Sequence, residues 1–249
     1  MSFQDKVRAA SEANNSRIVL ALDLESPEPS ELRRKSEELL QKVAEHVCAV
    51  KINRQLVLSL GLRGGVDCIV EVAHEHSLPV IMDAKLNDVR HTNEFMMRAY
   101  TDAGFDAIIA SPVAGWEGGL DAVFNLAASQ GKGVLLLVYM SSPGADKFYS
   151  LKVSRNDEKP KELFELLAEM AIDWKADGVI VGATKPQVIR RVRQLSGPRM
   201  DIYSPGVGTQ GGDAREAIDA GSSYLIVGRS IYQAANPAKV AREYRDLTS

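Results

Sequence analysis

The feature of the 249-residue sequence that most constrains its fold is a rhythm. Eight short apolar runs, at residues 18–22, 47–52, 80–82, 107–110, 134–139, 179–181, 202–203 and 224–227, each end in polar residues or glycine and give way to a helical pattern. A parallel strand covered by helices on both faces reads as such a run. The starts advance by about 29 residues on average, close to the ~31 of a 250-residue barrel of eight strand–helix units. The expected fold is α/β: a single-domain (β/α)8 TIM barrel over residues 17–249, with residues 1–16 as an N-terminal extension. Length alone leaves one large domain or two small ones open. An unbroken rhythm, with no linker and no internal sequence repeat, selects one.

The intervening segments have the period of crossover helices. Leu32, Leu39, Leu40, Val43 and Val47 recur near every 3.6 residues after Ser30, which is placed to cap that helix. Thr184 and Pro186 take the cap and first-turn positions before Val188, Ile189 and Val192. One interval is long: residues 140–161, whose Ser-Ser-Pro-Gly start and charged 155–161 stretch predict a long loop with an extra turn of helix.

Composition narrows the class of function. Thirty Lys and Arg against 33 Asp and Glu give a net charge of −3 with no long basic block, so neither nucleic acid nor a membrane surface is an expected partner. No 18 apolar residues run together, and the N-terminal stretch, with Asp5, Lys6, Arg8 and Glu12, lacks the apolar core of a secretory signal; the cytoplasm is the expected location. Cys48 and Cys68, without a CxxC pair, read as buried free thiols. His46, His74, His76 and His91 have no metal-ligand spacing and read as solvated or structural, with His91 just beyond Asp88. Trp116 and Trp174 read as packing residues, and Arg190, Arg191 and Arg193 as a solvated helix face.

In a parallel barrel the chemistry gathers at the C-terminal strand ends, which makes Asp23, Lys51, Asp83, Lys85, Asp88, Ser111, Ser141, Ser204 and the Gly228-Arg229 pair the candidates. In Val80-Ile-Met-Asp-Ala-Lys-Leu-Asn-Asp88, Asp83 and Lys85 are two residues apart, so a period-two strand points both to one face. Inside a barrel an unpaired charge is costly. Lys51 ends the neighbouring strand and can lie beside Asp83, giving an alternating array. The plain alternative is a strand emerging into a solvated loop; three charges after Ile81 and Met82, with Lys51 at the matching end of the preceding strand, favour a site.

The second cluster is Ser204-Pro-Gly-Val-Gly-Thr-Gln-Gly-Gly212, whose four glycines allow close approach and free N–H groups for an anion. Gly228-Arg-Ser-Ile-Tyr232 follows the eighth run, and Arg229 can fork two donors onto phosphate oxygens. The loops after strands seven and eight are the usual phosphate site of a barrel. The glycine spacing is not that of a dinucleotide fingerprint, so a small phosphorylated substrate is expected.

Together, Leu20-Ala-Leu-Asp23, Val50-Lys51, Asp83-Ala-Lys85-Leu-Asn-Asp88, Met140-Ser-Ser-Pro-Gly144, residues 204–212 and Val227-Gly-Arg-Ser230 resemble the orotidine 5′-phosphate decarboxylase family in its compact single-domain form. The resemblance implies conversion of orotidine 5′-phosphate to uridine 5′-phosphate and CO2, without metal or other cofactor, in de novo pyrimidine biosynthesis. It implies that Lys51, Asp83, Lys85 and Asp88 form the catalytic charge network, with Lys85 the proton donor. It implies a homodimer in which Asp88 and Thr92 cross the interface to complete a ribose site begun by Asp23 and Lys51. Ser141 would meet the pyrimidine, Pro205 would pack beside it, Gln210 would bridge base and phosphate, and Gly228 with Arg229 would hold the phosphate. Val89 stands where many members carry Ile, and the 140–161 interval is enlarged; neither alters a charged position. The alternatives are a sugar-phosphate decarboxylase or hexulose-phosphate aldolase on the same scaffold, normally Mg²⁺-dependent, and a catalytically silent nucleotide-binding barrel. Lys51, where a metal-binding acid would be wanted, weighs against the first, and the full charge set against the second.

Overall fold

The computed structural model describes residues 1–154 and 159–248. Eight parallel strands, Ile18–Leu22, Ala49–Asn53, Val80–Leu86, Ala107–Ala110, Gly133–Tyr139, Gly178–Val181, Asp201–Pro205 and Tyr224–Val227, pair in sequence order. The first also pairs with the eighth, Val19 opposite Ile226, and this closes the barrel. Every expected strand is present. The third runs four residues further than its apolar run, to Leu86, carrying Asp83 and Lys85 within it. The second begins at Ala49, because a helical turn at Ala44–His46 takes up the chain before it.

The crossover helices follow their apolar periods, but two caps differ from expectation. The helix Pro29–Val43 has Glu28, not Ser30, at its cap position, and Pro186–Ser196 has Lys185, not Thr184. In both, proline takes the first helical position, where its fixed φ and missing N–H cost nothing. That moves each start relative to the intended hydroxyl. Thr184 Oγ1 donates instead to the Ser141 carbonyl, at 3.4 Å. The long interval does hold an extra helical turn, Asp146–Tyr149, and a short antiparallel pairing of Lys152–Val153 with Lys161–Glu162. Of its charged stretch, residues 155–158 lie outside the described residues.

Residues 1–16 are built into the barrel. The helix Phe3–Asn14, capped by a reciprocal Ser2–Asp5 pair, buries Phe3, Val7 and Ala10. Gly133 leaves room for the Phe3 ring, which a Cβ there would meet at 2.5 Å. Gln4 donates to the Asp177 carbonyl, Asn14 to those of Ala44 and Val47, and Lys6 Nζ to Asp106 Oδ1 at 2.7 Å. These partners stand before or at the starts of strands, so the helix covers the N-terminal mouth and leaves the opposite mouth open.

Two peripheral expectations change, those for Arg193 and Cys68. Arg193 is not a solvated charge: its guanidinium donates to the carbonyls of Gly197, Met200 and Gly221 and to Ser223 Oγ, tying two loops together. Cys48 is buried, but Cys68 is only half-buried, since it starts a helix beside Asp67. His91 is exposed. Trp116 and Trp174 do pack, with ring centroids 5.3 Å apart and Phe124 against both. Among the described residues no helix is long and apolar enough to cross a membrane.

Asp106 anchors the covered mouth. Burial alone pushes its carboxyl up, but hydrogen bonds from His74, Lys6 and the Val80 N–H outweigh burial and bring it down to about 2. A depressed carboxylate stabilises the fold above its unfolded value of 3.8, and that contribution disappears as pH falls through 2. Asp106→Asn is therefore expected to cost about 2 kcal/mol at neutral pH, and to cost progressively less between pH 4 and 2. Urea midpoints at a series of pH values measure this; a pH-independent difference would contradict it.

Candidate active site

The third strand departs from regular geometry where its charges begin. Its register against the fourth strand shifts between Met82 and Leu86, and Lys85 has φ of 47°, in the left-handed region that non-glycine residues rarely occupy. The strand is not regular at Lys85, but the two side chains share one face as expected: Lys85 Nζ lies 2.5 Å from Asp83 Oδ1 and both line one cavity. Bulges are common beside active sites.

Lys51, on the adjacent second strand, donates to the other oxygen, Asp83 Oδ2, at 3.1 Å, and reaches Asp23 Oδ1 from the first strand at 3.5 Å. The chain of charges thus reads Asp23, Lys51, Asp83, Lys85. Side-chain exposures of 6% for Lys51, 9% for Asp83 and 27% for Lys85 give each a different position. The first two are enclosed, and Lys85 is the ammonium with access to a ligand. Burial disfavours charge on Lys51, but Asp83 and then Asp23 outweigh it and raise its pKa. Burial likewise opposes ionised Asp83, and Lys51 with Lys85 outweighs it in the other direction. Lys51 and Asp83 stay charged in this enclosed place because each faces opposite charge.

The array lines a cavity of about 250 Å³ at the open mouth, just below the ~300–1,000 Å³ of typical small-ligand sites. Asp23, Lys51, Asp83, Lys85, Ser141, Pro205, Gln210, Gly228 and Arg229 all line it. Two expected residues do not. Asp88 is exposed, its Oδ1 accepting from the Val89 N–H at the head of helix Arg90–Asp102, and Thr92 is half-buried on that helix. Neither lines this chain's own cavity.

The glycine loop differs from expectation in its donors. The N–H of Gly208 bonds the Gly212 carbonyl, that of Gly211 the Gly208 carbonyl, and that of Gly212 the Gly206 carbonyl. Those groups close the loop on itself and are not offered to an anion. The glycines serve close packing: a Cβ at Gly206, where φ is +95°, would lie 2.8 Å from Ser141 Cβ and 3.0 Å from Gln210 Oε1. Of the residues expected at the phosphate end, Gln210, Gly228 and Arg229 line the cavity. Asn53 and Tyr232, which also line the cavity, were missed in the sequence. Asn53 is two residues beyond Lys51 on one strand, and Tyr232 is one helical turn beyond Arg229; those spacings were the available signal.

The fold and site together define the class: a (β/α)8 barrel whose C-terminal mouth holds a lysine–carboxylate array and, lining the same cavity, an arginine from the last strand–helix loop. The profile of the orotidine 5′-phosphate decarboxylase / HUMPS family matches residues 16–244, and the chain belongs to that family. It is 35% identical over 229 residues to an orotidine 5′-phosphate decarboxylase of Methanosarcina mazei, covering 92% of this chain and 93% of that one. Its fold is similar to that of Methanocaldococcus jannaschii orotidine 5′-monophosphate decarboxylase complexed with the inhibitor BMP, with a TM-score of 0.80, 28% identity and coverage of 94% and 99%. Leishmania donovani UMP synthase superposes with a TM-score of 0.84 at 26% identity, covering 99% of this chain and 55% of that one.

If mutual pairing is what keeps the buried charges in place, Asp83→Ala should destabilise the fold by about 3 kcal/mol, by leaving Lys51 enclosed with only the longer contact to Asp23. Adding Lys51→Met should return most of that loss. Denaturation of the two variants measures it; a double variant as unstable as the single one would contradict the pairing.

Proposed function

We propose that the chain decarboxylates orotidine 5′-phosphate to uridine 5′-phosphate and CO2, as a carboxy-lyase of de novo pyrimidine nucleotide synthesis that needs no metal or organic cofactor. The observation that carries this reading is the Asp23–Lys51–Asp83–Lys85 chain lining the same cavity as Gln210 and Arg229. The family and the names of the relatives support the reaction. The carboxylates at the mouth, Asp23 and Asp83, already accept from lysine ammoniums, which is the wrong donor set for a divalent ion.

The reaction breaks the bond between C6 of the pyrimidine and its carboxylate. CO2 leaves, and the electron pair stays on C6 in an in-plane orbital that the ring does not delocalise. A fixed positive charge beside C6 stabilises that pair as it forms. Lys85 fits the role: its ammonium is open to the cavity and oriented by Asp83. Its Nζ–H proton then passes to the C6 pair, giving uridine 5′-phosphate, and solvent reprotonates the amine. Asp83 cannot relax away as charge moves, because Lys51 holds its second oxygen. Enzymes commonly lower barriers by about 8–23 kcal/mol, more than one ammonium supplies, so binding at the phosphate end must help organise the site.

The reading includes a homodimer in which Asp88 and Thr92 reach the partner's site. In its support, Asp88 is exposed and stands among exposed apolar side chains, Val89 at 64% and Phe95 at 69%, that a second copy would cover. A carboxylate arriving there would place a second acid near Lys85 and complete the alternating array.

Arg229→Ala is expected to raise KM at least tenfold and to weaken uridine 5′-phosphate binding, whereas Lys85→Ala abolishes turnover with nucleotide binding retained. Calorimetry and steady-state kinetics separate the two; equal loss of binding in both would contradict that division. In addition, inactive Lys85→Ala and Asp88→Ala proteins, mixed and allowed to exchange subunits, should recover about a quarter of wild-type activity, because half the dimers are mixed and each mixed dimer has one intact site. No recovery after demonstrated exchange would place Asp88 in its own subunit's site or outside the reaction.

A further inference from the structure

The enlarged segment after the fifth strand brings Ser141 and Ser142 into the cavity wall. Its first turn spans two fixed ends. One is Tyr139, the last residue of the strand and 1% exposed. The other is Asp146, at the start of the turn Asp146–Tyr149. The ends are joined by their side chains: the Tyr139 hydroxyl donates to Asp146 Oδ1 at 2.5 Å. Lys185, in the loop after the sixth strand, donates to Asp146 Oδ2 at 2.6 Å.

The surroundings make this a brace for Ser141. The Tyr139 ring is held against Tyr149 and Phe164, with centroids 5.0 and 5.7 Å away, so its hydroxyl has a fixed position. Burial, and then the Asp146 hydrogen bond, push the phenol up to about 12, so it remains a donor through the neutral range. On the far side, Thr184 beside Lys185 donates to the Ser141 carbonyl, and Gly182 lies so close that a Cβ there would be 2.7 Å from Ser141 Cα. One carboxylate thus ties the arc carrying Ser141 to the loop on which Ser141 rests. The Asp146 side chain is 52% exposed, and such ion pairs add little to stability. Its consequence is geometric.

We propose that Asp146, held by Tyr139 and Lys185, is a positioning residue that sets Ser141 against the pyrimidine ring of the substrate. This rests on the proposed nucleotide substrate and extends it to side chains that do not line the cavity.

The test is a double-mutant cycle. Asp146→Ala is expected to lower kcat/KM by about tenfold, as small displacements of a substrate-positioning group do, with little change in melting temperature. Ser141→Ala should also lower it, and the combined variant should be no worse than Ser141→Ala alone, because Asp146 acts through Ser141. Lys185→Arg, which keeps the pair, should stay near wild type while Lys185→Met shares the loss. Additive losses, or an Asp146→Ala protein with wild-type kcat/KM, would overturn the proposal. The same cycle run on the dissociation constant of uridine 5′-phosphate reads the coupling without turnover. A wild-type chain that binds this nucleotide but does not decarboxylate would overturn the functional reading, and the binding cycle would then decide the positioning role by itself.

Discussion

The structure depends on one carboxylate held between two ammoniums. Asp83 accepts from Lys51 on one oxygen and from Lys85 on the other, in a place too enclosed for Asp83 or Lys51 to stand alone. Removing Asp83 leaves Lys51 enclosed with only its longer contact to Asp23, and that cost is a sizeable share of the few kilocalories that separate folded from unfolded chains. The barrel's contribution is to keep the three from separating. Lys51 and Asp83 sit on adjacent paired strands, and Asp83 and Lys85 share one face of the third.

The rest of the fold divides its two ends between stability and chemistry. At the N-terminal mouth, the helix Phe3–Asn14 buries apolar side chains and gives Asp106 one of its cationic partners. The opposite mouth keeps one ammonium partly open at the array, with an arginine lining the same cavity. Loops after the fifth, sixth and seventh strands converge around Ser141, where Gly182 and Gly206 make room by having no side chain. A strained backbone at Lys85 is the kind of local cost that such a scaffold can hold in place for a functional end.

Much of this was legible in the sequence, for identifiable reasons. Buried parallel strands announce themselves as apolar runs, and charges directly after such a run mark a strand end; hence the barrel and Lys51, Asp83 and Arg229 could be placed from residue types and spacing. What the pattern could not convey was backbone geometry. Nothing in Asp-Ala-Lys signals the left-handed φ at Lys85, and four glycines read as free N–H donors until the loop is seen to bond to itself. Arg193 looks like its exposed neighbours Arg190 and Arg191, and only the fold brings four acceptors to it. Asp146 and Lys185 are 39 residues apart and meet because two loops converge, which no local pattern encodes.

The measurement that bears most directly on the central claim is the ultraviolet absorbance of orotidine 5′-phosphate mixed with the purified protein in excess chelator, with Lys85→Ala as the control. Rapid loss of the orotate band with the wild-type chain and none with the variant is the expected result, since charge and proton both come from Lys85. An unchanged spectrum with wild-type protein, or a loss that requires added divalent metal, would contradict it and favour metal-dependent sugar-phosphate chemistry on the same barrel.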